Sequence, residues 1–150
     1  MAIIRVTKEF NFEMAHALKN YDGPCKNIHG HSYKLFVTVI GAPSLNVHNP
    51  KLGMLIDFAD LKQLVSEHIV AVFDHAFVLS HQSGFDCDAN THEMFGKTIY
   101  VSYQPTCENL VEDFALRLIP LFPPEIKLFS LRLYETATSY SEWFASDNNL

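Results

Sequence analysis

Two alternating stretches, the first ending and the second beginning in histidine, limit what this chain can fold into. Phe10, Phe12, Met14 and His16 fall on one parity, as do His31, Tyr33, Leu35, Val37 and Val39. Side chains of one parity share a face of a β-strand, so Ile4 to Leu18 and His31 to Gly41 read as two long strands. The opposite face of the second, with Phe36 and Ile40 among Ser32, Lys34 and Thr38, is largely apolar too. A strand of that kind needs cover on both sides. Between the two, Asp22-Gly23-Pro24 marks the turn that reverses the chain.

Cys25-Lys26-Asn27-Ile28-His29-Gly30-His31 lies at that reversal. His29 and His31 are two apart, so at the start of a strand their imidazoles project from one face, and a neighbouring strand can present His16. Three imidazoles at about 2.0 Å suit zinc and leave the fourth tetrahedral position open, the pattern of a catalytic site. The same donor set accepts several other first-row ions. Cys25 has two readings: a fourth ligand that closes a structural site, or a nucleophile or base whose thiol the metal charge acidifies. Gly30 lets a second backbone or a substrate approach closely.

At 150 residues the chain is long enough for a sizeable core and is expected to be one domain, residues 1–150. It is too short for a TIM barrel, which disfavours the barrel amidohydrolases that also use His-x-His. A hydrophobic fraction of 48% with 13% aromatics excludes disorder. Eleven basic against seventeen acidic residues give a formal charge of -6 with no basic run, which argues against nucleic acid as a partner. The first residues break into charge before a signal core forms, and no apolar run reaches membrane-spanning length. A soluble cytoplasmic protein is expected. Cys25, Cys87 and Cys107 form no disulfide pattern.

Further along, Asp57 is a good N-cap for a helix carrying Phe58, Leu61, Leu64, Val65, His68, Ile69 and Val72 at helical spacing. His68 reads as packed or at a boundary, and His48 as an exposed loop residue. Asp74-His75 follows the helix, then a short strand, Ala76 to Leu79. Ser80 to Gln104 holds His81, Asp86, Cys87, Asp88 and His92 in no zinc spacing, and reads as an inserted loop plus a strand over Thr98 to Tyr103. Thr106 caps a second helix with Glu108 in its first turn and Leu110, Val111, Phe114, Ala115 and Leu118 as its apolar stripe. On the next strand, Glu135 shares the parity of Phe129, Leu131 and Leu133. A carboxylate there is costly unless it bonds something. Ser139 to Ala145 supplies a last strand with Trp143 in the core. The order of elements predicts an α+β domain with two helices on one face of an antiparallel sheet, whose uncovered apolar face and edges imply assembly.

Five blocks in order, Phe12-x3-His16-Ala17-Leu18, Cys25-x3-His29-Gly30-His31, Gly53-Met54-Leu55-Ile56-Asp57-Phe58, Asp74-His75, and Pro105-Thr106-Cys107-Glu108-Asn109 followed by Tyr134-Glu135-Thr136, resemble the 6-pyruvoyltetrahydropterin synthase superfamily. The three residues between Cys25 and His29 resemble its carboxytetrahydropterin synthase branch, of queuosine and 7-deazaguanine biosynthesis. The resemblance implies the tunnelling fold, in which trimers close a barrel and stack as a homo-hexamer with active sites at subunit boundaries. It implies a zinc lyase that turns 7,8-dihydroneopterin triphosphate into 6-carboxy-5,6,7,8-tetrahydropterin, acetaldehyde and triphosphate. It places zinc on His16, His29 and His31, proton transfer on Cys25 with Asp74 and His75, and the pterin beside Thr106 and Glu108 with Glu135 as its anchor. Cys107 departs from the smaller or hydroxylated residue usual in the family, and Ser80 to Gln104 is longer than in its compact members. The runner-up in the family is pyruvoyl formation from the same substrate. A folate-pathway variant usually lacks the cysteine, and a cupin-like enzyme fits two amphipathic helices poorly. A non-catalytic zinc-binding assembly protein needs Cys25 as fourth ligand.

Overall fold

The computed structural model describes residues 2–150. Strands β1 (Ile4–His16) and β2 (His29–Gly41) pair antiparallel along their whole length, from Ile4 opposite Gly41 to His16 opposite His29. β1 stops at His16 rather than running to Leu18, because the Leu18 N–H turns back to the Cys25 carbonyl at 3.0 Å. β2 starts at His29, two residues earlier than the alternation alone suggests, so that histidines stand side by side across the pair.

Strands β3 (Ala76–Ser80), β4 (Thr98–Val101), β5 (Ile126–Thr136) and β6 (Ser139–Phe144) complete a six-stranded sheet of order β4-β3-β1-β2-β5-β6. β1, β2, β5 and β6 make the antiparallel run expected from the sequence. β3 joins β1 in parallel and β4 joins β3 in parallel, because each is reached by a crossover and not a hairpin. The antiparallel sheet of the sequence reading is therefore a mixed one.

Helix α1 (Phe58–Val65) starts where expected, with the Asp57 carboxylate accepting the Ala59 N–H at 2.8 Å. It continues through a π-helical turn, Ser66–Val70, into α2 (Ala71–Phe73). His68, half-buried in that turn, donates from Nδ1 to the Leu64 carbonyl at 2.9 Å. Helix α3 (Cys107–Leu118) is capped by Thr106, whose hydroxyl accepts the Asn109 N–H at 3.3 Å. Both helical segments cover one sheet face. Phe12, Leu35, Val37 and Leu133 from the strands meet Leu61, Ile69, Phe73, Leu110 and Phe114 from the helices in one core.

One parity differs from the sequence reading. Pairing of β2 with β5 slips so that Thr38 faces Ser130 and Val39 faces Leu128, leaving Phe129 as a bulge. Phe129 turns to the uncovered face, 3.9 Å under the Arg5 guanidinium and edge-on to Phe144, while Leu131 and Leu133 stay in the core. In the Ser80 to Gln104 segment Cys87 is fully buried, and the Tyr100 hydroxyl both accepts the Cys87 N–H at 2.8 Å and bonds the Phe85 carbonyl at 3.0 Å. The segment is pinned to the β3–β4 edge. No helix among the described residues is long and apolar enough to cross a membrane.

Leu35 is fully buried at the middle of β2. Leu35→Ala is expected to destabilise the chain by about 2–5 kcal/mol, read as a shift of the urea midpoint at unchanged slope.

Candidate functional site

The β1–β2 register fixes the site. His16 and His29 face each other at the open end of the pair, and His31 follows one strand repeat later on the same face. Gly30 between them packs so close that a Cβ would stand 3.3 Å from the Met14 carbonyl oxygen. The ring centroids of the three histidines are 4.5, 5.2 and 4.9 Å apart in the pairs 16–29, 16–31 and 29–31. One ligand nitrogen from each lies within 4.8 Å of the others, the only metal-ligand group of this kind among the described residues. His81, Asp86, Cys87, Asp88 and His92 do not gather into a second one.

Hydrogen bonding decides which nitrogens are free. His16 Nδ1 is 2.7 Å from the Pro105 carbonyl and His29 Nδ1 is 2.7 Å from the Asn27 carbonyl. A carbonyl only accepts, so both Nδ1 atoms carry protons and both Nε2 atoms present lone pairs. These Nε2 atoms are 3.0 Å apart. Burial pushes the pKa of His16 down, and burial likewise pushes that of His31 down, which favours for these two rings the neutral form that metals bind. His31 Nε2 is buried with no hydrogen-bond partner. Facing lone pairs and an orphaned nitrogen fit a cation at their centre, and the carbonyls that orient His16 and His29 are the outer shell such a site requires. Cys25 is not within the ligand group, so the closed four-ligand arrangement of a structural zinc protein is absent among the described residues.

Cys25 sits in a single 3-10 turn, Pro24–Lys26, half-buried. With His16, Thr106, Glu108 and Glu135 it lines one cavity of about 320 Å³, closed by Leu18, Tyr21, Cys107 and the β6 residues Ser139, Tyr140 and Ser141. That volume suits a small ligand. Glu135, expected to need a partner, accepts from the Tyr33 hydroxyl at 3.3 Å and is 3.7 Å from His31. Burial, and then the nearby Glu135 charge, push the Tyr33 phenol far above its ordinary pKa, so it stays a donor. Cys107 is a buried thiol that donates to the Leu133 carbonyl at 3.2 Å, which accounts for a cysteine at this point of α3. Burial raises its pKa and keeps it protonated.

Asp74 and His75 lie elsewhere. His75 lines a second cavity of about 420 Å³ with His31, Glu13, Ser32 and Lys97, so the histidine triad stands between the two cavities and this chain does not bring His75 to its own Cys25 cavity. The pair is nevertheless built as a unit. Asp74 accepts the Glu13 N–H at 2.9 Å and the His75 ring Nδ1 at 2.9 Å. The Glu13 amide, with His75 second, holds the Asp74 carboxyl below its usual pKa. His75 itself has φ +58°, a region costly for a residue with a side chain and common at functional positions. Its side chain is 77% exposed, pointing away from the core.

Sequence reasoning missed Tyr33, which reads as core from its parity, and Gln104. The Gln104 carboxamide takes the Lys19 N–H at 3.3 Å and donates to the Lys19 carbonyl at 2.8 Å, clipping the Cys25 loop to the residue before Pro105. Nothing in the local sequence signals that contact across 85 positions.

Residues 5–145 match the family described as 6-pyruvoyl tetrahydropterin synthase. The 6-carboxy-5,6,7,8-tetrahydropterin synthase of Haemophilus influenzae is 36% identical over 143 residues, 94% of this chain and 99% of that protein. The protein of the same name from Rickettsia typhi is 31% identical over 93% of this chain and 99% of its own. Among solved structures, the 6-pyruvoyl tetrahydropterin synthase of Caenorhabditis elegans has a TM-score of 0.68 at 24% identity over 96% of each chain. An uncharacterized Wolinella succinogenes protein reaches 0.72 at 20% identity, over 96% of this chain and 99% of its own. These two likenesses show the shared fold.

His29→Ala removes one of three nitrogens and leaves the strand pairing, which is carried by backbone bonds. Metal analysis of the purified variant is expected to show loss of bound metal with an unchanged circular dichroism spectrum; full occupancy would remove His29 from the site.

Proposed function

We propose that this chain, which belongs to the 6-pyruvoyl tetrahydropterin synthase family, is a zinc-dependent 6-carboxy-5,6,7,8-tetrahydropterin synthase acting on 7,8-dihydroneopterin triphosphate. With one water consumed, the products are 6-carboxy-5,6,7,8-tetrahydropterin, acetaldehyde and triphosphate, and the setting is a soluble, cytoplasmic step toward queuosine and other 7-deazaguanines. The observation that carries this reading is the single cavity in which Cys25, Thr106, Glu108 and Glu135 meet His16 of the triad. The names of the relatives at 36% and 31% identity favour the carboxy product over the pyruvoyl one.

Each residue has a role that its surroundings support. Glu135 accepts hydrogen bonds from the 2-amino and N3–H edge of the pterin, while Thr106 and Glu108 border the ring at the capped turn of α3. His16, His29 and His31 would hold zinc, which when bound would supply Lewis acidity to the carbons and hydroxyls of the substrate side chain. Cys25 as thiolate takes one proton from that side chain. His75, oriented by Asp74, exchanges the second. Groups of this kind each contribute about 10²–10⁴ in rate.

Because His75 and Cys25 line different cavities within one chain, the reading includes assembly: Asp74 and His75 of one subunit serve the Cys25 cavity of another, in a homo-hexamer made of two trimers. The edge strands β4 and β6 and the sheet face carrying Phe36, Phe129 and Phe144 support such contacts.

Mass spectrometry of the products from zinc-loaded protein and 7,8-dihydroneopterin triphosphate tests the reaction: carboxytetrahydropterin with acetaldehyde is expected, and pyruvoyltetrahydropterin would overturn the assignment within the family. Cys25→Ala is expected to keep its metal and lose turnover by about 10²-fold or more. The shared site has its own test. Unfolding and refolding Cys25→Ala together with His75→Ala is expected to restore part of the wild-type rate, whereas two residues acting within one chain give no recovery.

A further inference from the structure

Tyr33 belongs neither to the triad nor to the cavity wall, yet its hydroxyl is aimed between them. The residue is 1% exposed. Its ring stacks on Phe12, centroids 5.3 Å apart at 7°, and stands edge-on to His16 and His31. Those contacts leave the hydroxyl one direction. A buried phenol needs an acceptor, and here it is Glu135 Oε2 at 3.3 Å. Pairing of Lys34 with Tyr134 on β2 and β5 sets the two residues side by side.

The second carboxylate oxygen, Oε1, is 3.7 Å from His31 Nε2, the buried nitrogen with no partner. Carboxylates are good ligands for the ions that three imidazoles bind. Glu135 is outside the ligand group, but its Oε1 already lies beside one of the three ligand nitrogens, so a carboxylate released from its partner is within reach of a role as fourth ligand. A fourth protein ligand closes the position that a catalytic metal keeps open.

We infer that Tyr33 is a positioning residue. By donating to Oε2 it holds the Glu135 carboxylate toward the Cys25 cavity and keeps it off a metal bound to His16, His29 and His31. The inference rests on the functional reading above, in which Glu135 anchors the pterin and the triad holds the metal. Loss of the hydroxyl has two linked consequences. The pterin loses a pre-oriented acceptor, and the metal gains a carboxylate.

The test uses full-length wild type, Tyr33→Phe, Glu135→Gln and the double variant, each loaded with cobalt(II) in place of zinc. Phe keeps the stack on Phe12, so the fold is retained. Visible absorption reports the coordination of cobalt, and fluorescence titration with neopterin, which carries no triphosphate, reports pterin binding. Tyr33→Phe is expected to take up cobalt in the wild-type ratio with a shifted and altered visible band. Its neopterin affinity is expected to fall roughly tenfold, the loss typical of a hydrogen bond to a charged group. Adding Glu135→Gln is expected to return the band to that of Glu135→Gln alone. A band unchanged by Tyr33→Phe overturns the inference, whatever happens to neopterin. Neopterin affinity untouched by Glu135→Gln, or a wild-type chain that binds no cobalt, overturns the functional reading itself and the inference with it.

Discussion

Two imidazole nitrogens held 3.0 Å apart with their lone pairs facing are the constraint on which the rest of this site depends. Each ring is fixed from behind by a backbone carbonyl, Pro105 for His16 and Asn27 for His29. Neither ring can turn to relieve the contact without breaking its 2.7 Å bond, which for His16 is buried. Protonation would relieve it, but burial disfavours the charged form of His16. A cation would satisfy all three histidines at once, and because ligands assembled only in the folded chain contribute their binding energy to folding, a bound metal would stabilise the β1–β2 end that creates its site.

The same carbonyl that orients His16 ties the site to its surroundings. Pro105 lies between Gln104, whose side chain clips both backbone groups of Lys19, and Thr106, which caps α3. Leu18 bonds the Cys25 carbonyl, so the thiol loop is fastened at its base from two sides. One short strap therefore sets the distance between His16, the thiol and the first turn of the helix that borders the cavity. The short turn that carries Cys25 is thus held by bonds to distant residues as well as by its own local ones.

Much of this is legible from residues alone. Alternation in β1 and β2 gives both strands and the face that carries the histidines, because a two-residue period has no other solution. Asp57 and Thr106 announce their helices through side chains that satisfy orphan amides. The misplaced parts have a common physical origin. Phe129 leaves the core because of a register slip whose cause lies in the pairing of two strands, and the parallel placement of β3 and β4 depends on how crossovers run in space. Gln104 to Lys19 and Tyr33 to Glu135 span 85 and 102 positions, beyond any local pattern. The carboxylate of Glu135 is the intermediate case: its cost on an apolar parity is visible in the sequence, whereas the identity of its partner is not.

The separation of His75 from the Cys25 cavity follows from the sheet itself. His16 and His31 lie on one face, but His16 opens toward β6 and the Cys25 loop while His31 opens toward Glu13, Ser32 and His75. Bringing His75 to Cys25 within one chain would require the β1–β3 pairing that starts at Met14 and Ala76 to give way, next to the fully buried Phe73. The Asp74–His75 pair instead ends a helix, holds a left-handed backbone and points its ring outward. A residue kept in a costly conformation with an exposed, carboxylate-oriented imidazole is available to a group outside its own chain, and in the assembly proposed above that group would be the histidine triad and thiol of a second subunit.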